Sequence, residues 1–321
     1  MTFRFSTLSA VAANPFRLSH RKPRLVSLSR YRNLSTTQKV PMRVVPVPVR
    51  SDNYAYLLID EATKQAAAVD PFDVPKVRAQ AEKEGVKLTA LITTHHHADH
   101  SGGNEEFVGD LILHLGCTTL ILFHMRKRSV YPNVPVYGGS DQVPALTNLV
   151  KDEDTFSVGE NIQVKCLATP CPPRTRFVTT SKTNPDPKKE AFLLGAYHRQ
   201  SGDTLFIAGC GRFFEGTAAE MHKALSYLGS LPGETVVYNG HEYTKASLAF
   251  GAHVDPSNPA MNRLRKITEE QITTGRTTIA DEKEWNVFMR LGSEAVRSTT
   301  KVDDDIEAMA KLREMKNSFR G

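Results

Sequence analysis

The chain has 321 residues, with 41 Lys and Arg against 35 Asp and Glu and a net charge of +6, which is length enough for two domains or one large one. The basic excess is local: residues 1–51 hold eight Arg and two Lys and no acid, so the remainder carries −4, which argues against nucleic-acid binding by the folded part. Cys117, Cys166, Cys171 and Cys210 form no C-x-x-C pair and suit a reducing compartment, and no run of about eighteen apolar residues is present that could span a membrane as a helix.

Residues 1 to about 41 are rich in Arg, Ser and Leu and lack acids. They read as a mitochondrial presequence, which places the mature chain in the matrix. Met42 could also start a cytosolic form at the edge of the folded part. Arg43 to Val49 carries Pro46 and Pro48, so the pattern predicts an edge strand. Asn53 to Asp60 and Gln65 to Asp70 read as a hairpin. Pro75 to Glu84 reads as a helix, with Pro near its start and Gly85 as its stop. Leu88 to Thr94 is apolar, β-branched and alternating, a buried strand. Val134 to Tyr137, Asn161 to Thr169, Arg176 to Thr180, Thr204 to Ala208 and Thr235 to Tyr238 are further strands. Thr217 and Glu220 form a capping box. It opens a helix whose Met221, Ala224, Leu225 and Leu228 fall on one face, a core stripe. After His241 the pattern changes to helices over Ala246–His253, Ala260–Gln271 and Asp304–Ser318, with no strands. The expectation is a β-rich domain over residues 42–241, then a helical domain over 242–321.

The strand from Leu88 runs into Thr94-His95-His96-His97-Ala98-Asp99-His100. In an extended backbone His95 and His97 point the same way, and Asp99 and His100 follow as the chain turns. Three imidazoles and a carboxylate at this spacing form a ligand set for zinc, iron or manganese. His96 alternates away from the ligand face.

H-x-H-x-D-H resembles the signature of the metallo-β-lactamase superfamily. The stretches around it resemble one branch, glyoxalase II or hydroxyacylglutathione hydrolase. They are Asp52-Asn53-Tyr54-Ala55-Tyr56-Leu57, Val69-Asp70-Pro71, Leu167-Ala168-Thr169-Pro170-Cys171, Gly202-Asp203-Thr204, Gly209-Cys210-Gly211-Arg212-Phe213-Phe214 and Gly240-His241-Glu242-Tyr243-Thr244. The resemblance implies an α+β fold, an αββα sandwich of two mixed sheets with outer helices followed by an all-α region.

It also implies a site holding two divalent metal ions, zinc first, with iron or manganese as substitutes. One ion takes His95 and His97. The other takes Asp99, His100 and His241, and Asp203 bridges them, as suits a carboxylate between two cations. Asp99 is placed to orient the attacking water, and Asp70 reads as either an outer hydrogen-bonding partner of the site or a plain turn residue. Substrate contacts fall on Arg212, Phe214, Tyr243, Arg313 and Lys316. The last two lie three apart on one helix face and match an R-x-x-K pair that clamps a glutathione carboxylate.

The chain departs from the pattern at three places. The histidine expected directly after Thr-Pro-Cys is Pro172, which has no side-chain donor for a metal. Residues 109–130 have no family counterpart, and Ala191 to Ser201 departs from the usual strand. These abrupt breaks read as mis-spliced coding sequence, with a true insertion loop as the rival. The implied reaction is hydrolysis of S-D-lactoylglutathione to D-lactate and glutathione, the second step of methylglyoxal detoxification, by a monomer. The alternatives are a persulfide dioxygenase with one iron, and a non-catalytic binder of glutathione conjugates left by the loss at Pro172.

Overall fold

The computed structural model describes residues 42–108, 133–170, 173–181, 192–194, 204–212, 216–270 and 272–321, with backbone alone at 168–170, 173–181 and 192–194. Two six-stranded mixed sheets stand at its centre. The first begins with β1 (Met42–Pro48), β2 (Tyr54–Asp60) and β3 (Gln65–Val69), which pair antiparallel in that order. β1 is the edge, where the missing amide hydrogens of Pro46 and Pro48 cost no ladder bond. Helix α1 (Val74–Glu84) is capped by Asp73, whose side chain accepts from Lys76 N, and is stopped by Gly85 at φ +66°. It crosses over to β4 (Lys87–Thr93), parallel to β3. Two short helices follow, α2 (Ala98–Ser101) and α3 (Asn104–Val108). β5 (Val136–Gly138) and β6 (Asn148–Leu149) extend the sheet in parallel.

The second sheet holds β7 (Thr155–Val158), β8 (Ile162–Pro170), β9 (Pro173–Ser181) and β10 (Phe192–Leu194), antiparallel in that order. β11 (Leu205–Phe206) and β12 (Gly209–Cys210) form a separate small hairpin. α4 (Ala218–Gly229) opens on the Thr217–Glu220 capping box and buries the expected Met221, Ala224, Leu225 and Leu228. β13 (Val236–Tyr238) then joins β10 in parallel. Beyond it come α5 (Thr244–Val254), α6 (Ala260–Ile267), β14 (Thr277–Thr278), α7 (Ile279–Trp285), a 3-10 turn at Val287–Met289, α8 (Glu294–Thr300) and α9 (Asp305–Ser318).

Strand β2 shows how the layers are specified. Tyr54, Tyr56 and Leu58 face the second sheet and meet Val158, Val164 and Cys166, whereas Ala55, Leu57 and Ile59 face α1. Both faces are covered, so the strand is apolar throughout. A third apolar cluster joins α4 and the second sheet to Phe250, Ile279, Met309 and Leu312 of the later helices. The result is helix, sheet, sheet, helix, with the helical segment packed beyond. Among the described residues no helix is long and apolar enough to cross a membrane.

Four details differ from the sequence pattern. β4 does not alternate strictly: a register shift between Ala66 and Ala67 gives it a bulge, so Leu88 and Leu91 face the same side. The strand expected over Thr204–Ala208 is instead half of the β11–β12 hairpin, because Ala208 turns the chain at φ +59°. Helix α6 stops at Ile267, before the expected Gln271, and the Thr268 hydroxyl donates to Arg265 O at that end. The segment after His241 also returns one strand, β14, to the edge of the second sheet beside β13. Pro172 and residues 109–130 and 195–201 lie outside the described residues.

Candidate metal centre

The centre forms where β3 and β4 end side by side. Asp70, directly after β3, sits at φ +49°, and its amide donates to Ile92 O of β4 at 2.9 Å. Its carboxylate accepts from Thr94 N at 2.9 Å, Thr94 Oγ1 at 2.6 Å and His100 Nδ1 at 2.9 Å. A carboxylate only accepts, so His100 carries its hydrogen on Nδ1 and its lone pair on Nε2. The structure thus gives Asp70 a hydrogen bond to His100, more than a plain turn role.

The histidine run packs as the spacing predicts. The ring centroids of His95 lie 4.9 Å from His97 and 4.6 Å from His100. His95 is buried, and its Nδ1 lies 3.2 Å from Thr94 Oγ1. His96 stands edge-on to His97 at 4.6 Å.

His241 arrives from β13, across the sandwich, and β2 holds it there. Tyr54 N donates to Gly240 O at 2.9 Å, and Glu242 N donates to Asp52 O at 2.8 Å. Asn53 Nδ2 lies 3.3 Å from Asp99 Oδ2 and 3.4 Å from His241 Nε2, and Asp52 Oδ1 lies 3.6 Å from His241 Nδ1. Asp99, His100 and His241 each offer one donor atom within 4.8 Å of the others. Burial pushes the His241 pKa down to about 4, His100 adds to that, and the charges of Asp52 and Asp99 oppose it. A buried imidazole kept neutral beside a second imidazole and a carboxylate has the chemistry of a divalent-metal ligand set, so these residues fit such an ion.

Glu242 anchors the same turn. Its carboxylate accepts from Tyr54 OH at 2.8 Å, Thr244 Oγ1 at 2.7 Å and Thr273 N at 3.0 Å. Burial works against its ionisation, but these hydrogen bonds outweigh it and hold the carboxyl below its ordinary range. Asn53 and Glu242 are neighbours of the centre to which the residue pattern alone assigns no role; their only signal is that they fall within the resembling stretches.

A cleft of about 580 Å³ opens over the centre, lined by Arg50, Phe72, His97, Asp99, His241 and Tyr243. The Tyr243 ring stacks on His241 at 5.0 Å, and Phe206 meets Tyr243 edge-on at 5.0 Å. Arg313 and Lys316 share one face of α9, and it is turned inward. Arg313 is 7 % exposed and donates from Nη1 to Cys210 O at 3.0 Å. Burial lowers its pKa, and the charge of Arg212 acts the same way. Lys316 donates to Ala246 O in the first turn of α5, and burial together with Arg313 pushes it down to about 8. Arg212 itself is exposed just after β12. Three cations thus act on one another across one region, a disposition suited to an anionic ligand. Asp203 and Phe214 lie outside the described residues.

Comparison with known proteins agrees with this geometry. Residues 50–167 match the metallo-beta-lactamase superfamily and residues 242–319 the hydroxyacylglutathione hydrolase C-terminus. A probable hydroxyacylglutathione hydrolase of Schizosaccharomyces pombe is 38% identical over 86% of this chain and 98% of its own length. The cytoplasmic hydroxyacylglutathione hydrolase of Arabidopsis thaliana is 36% identical over 87% of this chain and 100% of its own. Among solved structures, ETHE1 from Myxococcus xanthus shares the fold, with a TM-score of 0.52 and 23% identity over 86% of this chain and 90% of its own. The superfamily binds divalent metal, and in this chain Asp99, His100 and His241 form a donor group that fits such an ion. The chain belongs to the hydroxyacylglutathione hydrolase family of the metallo-β-lactamase superfamily.

Proposed function

We propose that the chain is a thioester hydrolase that converts S-(2-hydroxyacyl)glutathione, S-D-lactoylglutathione above all, to the hydroxy acid and glutathione. The observation that carries this reading is the convergence of Asp99, His100 and His241, from two distant segments, beside a cleft lined by Tyr243. We assign zinc to the centre. His95 and His97 would hold one ion and Asp99, His100 and His241 the other, with Asp203 shared. Bound there, divalent ions polarise the thioester carbonyl and make water acidic.

The protein side of the chemistry follows from the residues. Asp99, steadied by Asn53, orients the attacking water and takes up its proton. The water oxygen bonds to the carbonyl carbon, the carbon–sulfur bond breaks, and glutathione departs as a thiolate, a good leaving group since its thiol pKa is roughly 8.5. Arg212, Arg313 and Lys316 hold the peptide carboxylates, and Tyr243 packs along the peptide. Phe214, where the family resemblance implies a tyrosine, offers the substrate an apolar ring without a hydroxyl. The first 41 residues direct the chain to the mitochondrial matrix, and a form starting at Met42 stays in the cytosol; the enzyme acts as a monomer. The test is hydrolysis of S-D-lactoylglutathione by zinc-loaded protein. Glutathione release supports the reading. Oxygen uptake with glutathione persulfide in place of hydrolysis would replace it with a dioxygenase.

A further inference from the structure

The β11–β12 hairpin is too small to hold itself. Only two residue pairs, Leu205 with Cys210 and Phe206 with Gly209, join its strands, and isolated two-stranded ribbons of this length are not independently stable. Its turn also puts Ala208 at φ +59°, a left-handed conformation that disfavours a residue with a Cβ. Yet both of its strands touch residues proposed above to bind metal or glutathione. The Phe206 ring backs Tyr243 at 5.0 Å and meets His241 at 6.5 Å. Cys210 O accepts from Arg313 Nη1 at 3.0 Å.

What fixes the turn comes from α7 and the residue that ends it. Glu282 is fully buried, and its Oε2 accepts from Ala208 N at 2.8 Å. Asn286, equally buried, donates from Nδ2 to Gly209 O at 3.0 Å, to Phe206 O at 3.5 Å and to Glu282 Oε2 at 3.1 Å. Trp285 Nε1 donates to Glu282 Oε1 at 3.1 Å. Two polar side chains thus hold three backbone groups of one four-residue turn. Burying a carboxyl is costly, and burial raises Glu282 to about 7. An apolar residue would serve packing alone at lower cost, so the polar pair points to the placement of this turn.

We propose that Glu282 and Asn286 are positioning residues for glutathione binding: they set the β11–β12 turn so that Phe206 seats Tyr243 and Cys210 seats Arg313. This rests on the reading of the cleft as a glutathione-thioester site.

The test uses the full, zinc-loaded chain with Glu282→Gln and Asn286→Ser. Glutamine keeps the volume but can accept on only one side, toward Ala208 or toward Trp285. Serine keeps a cap for Phe288 N, which Asn286 Oδ1 now accepts at 3.1 Å, and removes the donors to the hairpin. The readouts are zinc per chain, melting temperature, kcat and KM for S-D-lactoylglutathione, and calorimetric Kd for S-methylglutathione. The expected result is KM and Kd raised about tenfold, with kcat within about threefold and zinc content unchanged. Folded variants with wild-type KM and Kd, whatever their melting temperature, overturn the proposal. If Glu282→Gln fails to fold, Asn286→Ser decides alone. Wild-type protein that neither hydrolyses the thioester nor binds S-methylglutathione overturns the functional reading and this proposal with it. Active wild-type protein with unaffected variants overturns this proposal only.

Discussion

Asp70 Oδ2, directly after β3, and His100 Nδ1, in α2, are 2.9 Å apart and both sealed from solvent. This contact fixes the ring of His100, which we propose binds metal, and the position of its lone pair. Replacing Asp70 by Asn leaves an amide that can donate as well as accept, so the histidine loses its single defined tautomer. Zinc affinity measured by chelator competition should fall roughly 10- to 100-fold. An unchanged affinity in folded protein would remove Asp70 from the account.

Lys316 separates binding from stability. It is half-buried over Phe250 at 5.2 Å and makes its hydrogen bond to Ala246 O. Lys316→Ala should raise KM for the anionic thioester by about tenfold, with kcat little changed. The lysine pKa of about 8 adds a pH signature. The charge is present below that value and lost above it, so KM of the wild type should rise as pH passes about 8, and that rise should be absent from the variant.

Asp60 ties the two sheets together. Fully buried at the end of β2, it accepts from Glu160 N at 2.9 Å, Asn161 N at 3.0 Å and Asn161 Nδ2 at 3.1 Å, beyond β7. Burial alone would raise its pKa, but these donors outweigh it and the pKa is lowered. A carboxyl lowered on folding stabilises above its unfolded pKa and loses that contribution as pH falls through the folded value. Asp60→Asn should therefore cost about 2–3 kcal/mol at neutral pH, and the gap from wild type should close in acid, as urea titrations at stepped pH would show.

Glu282 has the opposite sign. Its pKa is raised to about 7, so its neutral form belongs to the folded state. The stability this gives is fully present below the unfolded pKa and is lost as pH rises through about 7, on the order of 3 kcal/mol. Trp285, the one tryptophan of the chain, donates to this carboxyl and reports on it. Its fluorescence should change with a midpoint near 7 in the wild type and stay flat across that range in Glu282→Gln. A flat wild-type profile would contradict the assignment.

Pro172 stands where the resemblance implies a metal-binding histidine. Restoring the missing donor as Pro172→His should raise zinc bound per chain and raise kcat for S-D-lactoylglutathione, as read by metal analysis beside the assay. A gain in either would identify this position as the limiting ligand, and zinc-loaded wild type already at two ions per chain would show that Pro172 costs nothing.

Local chemistry was legible in the sequence and long-range chemistry was not. The strand-end histidines, the Thr217 capping box and the Pro-bearing edge strand are each written within a few residues, and they stand where the pattern puts them. The left-handed position of the β11–β12 turn is not marked by Gly or Asn: Ala208 takes that conformation because Glu282, 74 positions away, holds its amide. Glu282 sits in Asp281-Glu282-Lys283-Glu284, which reads as a solvated helix face, and only packing shows that it is buried. Two-residue β14 is stabilised by its neighbour β13 and leaves no periodic trace. Asn53, which bridges Asp99 and His241, looks like an ordinary strand start until the chain 188 positions on is folded against it.

The proposed enzyme hydrolyses a glutathione thioester only with divalent metal held by these clustered histidines and carboxylates. S-D-lactoylglutathione turnover should vanish when the chain is stripped by a chelator and return when zinc is restored, with His241→Ala inactive under both conditions. Turnover that survives complete metal removal, or a zinc-loaded chain that leaves the thioester intact, would contradict it.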